Sequence, residues 1–271
     1  MPALLETYRL KNIAILILLL LNAFLLLLLG YQFLQARQTA SDTVEQLRSL
    51  CSGSQLDLDG SVDVLQEGLS PLRLSRNSSV EAAMADALLG GGAESVSQGG
   101  GIYSYVAPTG ELQFRSGGSF DGAGLRLPVE DPAAFSQAFC EEFSYQNLSL
   151  SLHQGTGNAT ATQYVAGVPI RGCGVTLTFL DGYLTAVSGS HVSPESGQLE
   201  DSEQLTCASA LVRFLDYRSS AGIICSRVTA VSCVYSLQGT SSSLRLAPLW
   251  LIETDTYTYL VDASSGEISR A

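Results

Sequence analysis

Two histidines, His153 in "LHQGTGNAT" and His191 in "SGSHVSPES", and six cysteines are the side chains of this chain best suited to proton transfer, nucleophilic attack or metal ligation. Their spacing supports none of these. No G-x-S-x-G elbow accompanies either histidine, and each sits where a strand runs into a loop, the ordinary place for a solvated imidazole. Cys51, Cys140, Cys173, Cys207, Cys225 and Cys233 form no C-x-x-C pair and lie far from both histidines, so zinc is not expected. Cys140 and Cys207 fall among apolar positions of expected helices, which favours buried free thiols over a disulfide framework.

Carboxylates and glycines read the same way. Glu141 and Glu142 are adjacent on an expected helix and point in different directions, a solvated face and not an acid/base pair. "DLDGSVD" at 57–63 has the acid density of a calcium loop, but its glycine is misplaced and no glutamate closes it. "GGGAESVSQGGG" at 90–101 lacks the Lys-Ser/Thr of a phosphate loop and is expected to be a flexible loop. No catalytic, cofactor or metal residue is therefore expected, and the chain reads as a protein that is not an enzyme.

The elements that position these residues follow a repeated order. "YSYVAPTGEL" and "YTYLVDASSGEI" each end a strand, turn and begin another. Gly110 and Gly266 supply positive φ there, and Asp262 with its serines can bond the turn backbone. Tyr103 with Tyr105, and Tyr257 with Tyr259, stand on one strand face, a possible outer interface because tyrosine is favoured at contacts. Three helices carry start signals: Ser78 with Glu81, Asp131 with Pro132, and Asp201 with Gln204. Strand-like runs such as "VTLTFL" and "LWLIE" follow, with Asp181-Gly182 as a hairpin turn. Helix followed by antiparallel meander, repeated, is an α+β pattern. The expected organisation is a 1–12 tail, a 13–33 transmembrane helix, a 34–70 juxtamembrane helix and connector, a 71–130 helix-plus-hairpin unit, and two helix-plus-meander units over 131–271.

The span rests on "IAILILLLLNAFLLLLLGY", 19 residues broken only by Asn22. As a helix it is roughly 28 Å long, close to the ~30 Å of a bilayer core. It is longer than a cleaved signal's apolar core and is followed by bulky and charged residues, so a retained anchor is expected. Arg9 and Lys11 before it place the tail in the cytoplasm and the large domain outside the cell membrane. Beyond the span and Arg37, 11 arginines face 25 acids, near −14, which excludes nucleic acid as a partner.

The basic tail with "LKNIAILILLLLNAFLLL", the helix "SVEAAMADALLG", then "VAGVPIRGCGVTLTFLDGYLTAVSG" and the closing "LAPLWLIETDTYTYLVDASSGEI" resemble the YycI/YycH group of bacterial membrane-anchored regulators, with PepSY-like helix-and-meander units. The resemblance is one of architecture over nearly the whole chain. It implies an extracytoplasmic domain on one span that associates with a sensor histidine kinase of the YycG/WalK type, and with a related YycH-like regulator, and tunes signalling. The cysteine content and the glycine-rich loop depart from that group. A PepSY-like inhibitor or chaperone module for an exported protease is the alternative.

Asn22 at mid-span fits a partner helix, since an amide facing lipid is costly and a hydrogen bond across helices satisfies it. At about 100° per residue Asn12, Asn22, Ala23 and Gly30 share roughly one 100° arc, a side of small and polar residues that a second helix could approach.

Overall fold

The computed structural model describes residues 18–22, 24–26, 42–194, 204–240 and 243–271. Two units divide it, Met1–Leu58 and Asp59–Ala271. In the first, the backbone is helical at 18–22, at 24–26 and in α1 (42–53), and ends in the short strand β1 (Asp57–Leu58). Of the expected span 13–33 only 18–22 and 24–26 are described, and the remainder of that expectation lies outside the described residues. Among the described residues no helix is long and apolar enough to cross a membrane.

The second unit begins with β2 (Leu72–Ser75) and then runs through three helices, each followed by a four-strand meander. These are α2 (Ser78–Leu89) with β3 (Glu94–Gly99), β4 (Ile102–Ala107), β5 (Gly110–Phe114) and β6 (Ser119–Pro128); then α3 (Pro132–Glu142) with β7 (Tyr145–His153), β8 (Thr156–Val165), β9 (Val168–Leu180) and β10 (Tyr183–Ser190). After the short β11 (Ser193–Pro194) come α4 (Cys207–Ala221) and β12 (Arg227–Thr240), β13 (Ser243–Thr254), β14 (Thr258–Asp262) and β15 (Ile268–Arg270). The α+β class matches the sequence pattern, while the 71–130 unit, expected as a helix with a hairpin, carries four strands because β3 and β6 flank the β4–β5 hairpin.

The first two meanders are one sheet. β10 pairs antiparallel with β6, with Ser188 opposite Asp121 and Tyr183 opposite Pro128, so the order is β3-β4-β5-β6-β10-β9-β8-β7. α2 and α3 lie on one face of it. Met84, Leu88 and Leu89 of α2 and Phe139 of α3 pack with Leu112, Phe114, Phe120, Leu177, Phe179 and Leu184 in a single core. Full burial of each such side chain contributes about 2 kcal/mol before chain entropy is counted. The third meander forms a second sheet with β2 and β11, in which β13 pairs along its length with β12 and, on its other edge, with β2 and then β14. A two-residue parallel bridge, Tyr235–Ile170 and Ser236–Arg171, links the sheets.

Local signals set the corners. Asp181 and Gly182 have φ of 51° and 80° and join β9 to β10 with Leu180 opposite Tyr183, the twist-matched two-residue hairpin. Asp131 caps α3 as expected, accepting from the N–H of Ala133 and Ala134, with Pro132 in the first turn. Two caps differ. On α2 the cap is Asn77, one residue before Ser78, because its longer side chain reaches the N–H of Val80, and Glu81 is drawn to Arg76 instead. On α4 it is Thr206, bonded to Ser209; Asp201 lies outside the described residues.

The stretch "ATQYVAGVPI", continuous in its strand-like residues, is divided between β8 and β9. Ala166 and Gly167, with φ of 50° and 81°, turn it into the β8–β9 hairpin. The glycine-rich stretch is not wholly a loop either. Residues 94–99 form β3, an edge strand exposed on both faces and zipped to β4, while Gly100 and Gly101 make the turn.

Candidate functional site

The crossover from β10 to β11 carries the chain from one sheet to the other, and it is held on three sides. Tyr145 Oη donates to the Ser190 carbonyl at 2.9 Å, His191 N–H to the Gly118 carbonyl at 2.9 Å, and the buried Gln163 side chain bonds both peptide groups of Val192. His191 is thereby fixed between the sheets. Its ring stands edge-on to Phe143 and to Tyr145, with centroids at 6.5 and 5.9 Å, and hydrogen-bonds the backbone of Phe143. The solvated loop imidazole expected from sequence is therefore a packed one, and burial lowers its pKa to about 4 although the Phe143 bond opposes the shift. His153 is exposed at the end of β7.

Against His191 lies a cleft of about 260 Å³. β2 and β13 supply Leu74, Ser75 and Leu244, the β5–β6 turn supplies Arg115 and Ser116, and the start of α2 supplies Arg76, Asn77 and Glu81. Arg76 is anchored by Nε and Nη2 to Glu81 Oε2, at 3.1 and 2.8 Å, and by Nη1 to the Gly101 carbonyl at 2.6 Å. It also lies 4.2 Å from the ring centre of Tyr103. Arg115 pairs with Asp121 on the neighbouring strand. Sequence reasoning missed this site, because Arg76, Arg115 and His191 meet only once the meanders have joined.

Four titratable groups converge here, as an enzyme would require, but their partners fix what they can do. Glu81 is committed to Arg76. His191 is neutral at pH 7, and none of Ser75, Ser116 and Ser193 hydrogen-bonds it or Glu81 among the described residues. The cleft offers charge and hydrogen-bond donors to a bound molecule. Among the described residues no group of three or more His, Cys, Asp or Glu is placed to hold a metal.

All six cysteines are buried and free. Burial raises the pKa of Cys140 and Cys173 to about 11 and of Cys207 to about 12, which keeps them protonated.

The tyrosine doublets separate. Tyr105 and Tyr259 are core residues, 4% and 3% exposed, packed on Phe114 and Phe214 respectively. Tyr103 and Tyr257, at 37% and 48%, are the exposed members, and each carries a guanidinium, Arg76 on the first and Arg270 at 3.3 Å on the second. An outer interface built on these tyrosines reduces to Tyr103 and Tyr257. Asn22 is helical and exposed; Asn12, Ala23 and Gly30 lie outside the described residues.

No family model and no curated protein matches the chain. Among solved structures, the crystal structure of an uncharacterized protein from Eubacterium rectale is similar over 80% of this chain and 91% of its own, at 11% identity and a TM-score of 0.44.

Proposed function

We propose that this chain is a membrane-anchored extracytoplasmic regulator, not an enzyme, that binds a two-component sensor histidine kinase of the YycG/WalK type and biases its signalling state. The observation that carries the reading is the exposure of the N-terminal helical residues. Leu18 to Leu21 and Phe24 to Leu26 are between 47% and 70% exposed. At about 100° per residue these neighbours point in every direction around the axis, so the described helical residues expose apolar side chains all round. Lipid, or another apolar helix, satisfies such a surface; water does not.

Asn22 stands exposed in that leucine field and supplies a side-chain amide that a kinase helix could bond. The acidic body, carrying Tyr103 and Tyr257 outward, provides a second contact on the far side of the membrane, for the kinase sensor region or a YycH-like co-regulator. Regulation requires that this binding favour one kinase conformation over the other.

Asn22→Leu tests the proposal. It should leave membrane insertion intact and reduce crosslinked kinase recovery several-fold. Unchanged recovery would remove the span from the mechanism. A fragment starting at residue 59 that by itself restrained an exported protease would favour the PepSY-like inhibitor reading instead.

A further inference from the structure

We infer that the cleft beside His191 is a binding site for a small monocarboxylate with an aliphatic body. Glu81 matches Arg76 and Asp121 matches Arg115, so the positive charge open to a ligand is that of Arg115 once Asp121 gives it up, which a carboxylate matches and a phosphate dianion exceeds. Donors are in surplus. Of the five N–H groups of the Arg76 guanidinium, three are used by Glu81 and Gly101. Asn77 spends its oxygen on Val80 N–H and the Ser79 hydroxyl, leaving its amide nitrogen as a donor on the cleft wall.

Arg115 is the group free to exchange. Its pair with Asp121 is solvent-exposed, 38% on the arginine and 51% on the aspartate, and such pairs contribute little, so an incoming carboxylate can take the guanidinium without a large loss. Leu74, Val192 and Leu244 add apolar wall. The volume, just below the ~300 Å³ at which ligand pockets ordinarily begin, limits the occupant to a molecule of about a dozen non-hydrogen atoms. Such a carboxylate is either a free short branched acid or the C-terminus of an aliphatic peptide.

Isothermal titration of the full chain in detergent with N-acetyl-leucine, N-acetyl-leucinamide and 4-methylvalerate separates these. N-acetyl-leucine should bind saturably with a Kd of roughly millimolar or below, the amide at least about tenfold more weakly, and Arg115→Gln should weaken the acid by a similar factor, as expected for loss of one charge-assisted contact. Binding of 4-methylvalerate as tight as N-acetyl-leucine assigns the free acid, and much weaker binding assigns the peptide terminus. Equal affinity for acid and amide, binding indifferent to Arg115→Gln, or no saturable binding of either acid overturns the assignment. Retention of the wild-type unfolding midpoint by Arg115→Gln confirms that its loss is local.

Discussion

The side-chain amide of Gln163 and the peptide unit of Val192 exchange two hydrogen bonds: Nε2 donates to the Val192 carbonyl at 2.8 Å, and the Val192 N–H donates to Oε1 at 2.9 Å. A side chain thus does what a neighbouring strand would do, at the point where the chain leaves one sheet for the other. Both partners are buried. Gln163→Leu strands a donor and an acceptor that water cannot reach, at about 1–3 kcal/mol for each. The variant should lose about 2–6 kcal/mol in urea unfolding with an unchanged m-value.

Folding stability should fall with acid through His191. Its folded-state pKa is depressed to about 4 from the usual 6.5, so the neutral form is the folded one. The stability this represents is fully present above pH 6.5 and is lost as the pH falls toward 4, with a slope of up to about 1.4 kcal/mol per pH unit. Urea midpoints at pH 7 and pH 5 measure it. His191→Phe, which keeps a ring between Phe143 and Tyr145, should flatten the profile over that window.

The thiols should be silent in the native state. Each is buried, and those of Cys140, Cys173 and Cys207 titrate at about 11 to 12, so the thiolate is scarce at pH 8. A thiol-reactive disulfide reagent should label the native chain slowly and release the full complement of six after urea is added. Rapid labelling of the folded protein would contradict the packing described.

Trp250, the one tryptophan of the chain, is fully buried, and its Nε1–H donates to the Leu205 carbonyl at 2.7 Å. Emission should be blue-shifted in the native state and move to the red on unfolding. Trp250→Phe removes the donor and leaves that carbonyl unpaired, which should cost about 1–3 kcal/mol.

What was legible in the sequence was local. Asp131-Pro132 and Asp181-Gly182 define a cap and a corner within a few residues, and both stand where they were read. The Asp262 turn does too, with its carboxylate accepting from the N–H of Ser264 and Ser265. β3 and β6 escaped because glycine and serine carry no strand preference; their pairing partners make them strands. The tyrosine doublets show the same limit. Alternation puts Tyr103 and Tyr105 on one face, but only the tertiary structure reveals that Tyr105 sits over the core and Tyr103 beyond its rim. The cleft was illegible for the same reason, since the β6–β10 ladder that brings its arginines to His191 is a contact between meanders.

β2 lies between β11 and β13, which follow it by more than a hundred positions in the chain. The earliest strand of the folded body consequently waits, during synthesis, for the final third of the polypeptide before either of its flanks is filled. A nascent or truncated product keeps bare hydrogen-bonding edges there, which makes that slot a natural checkpoint for quality control.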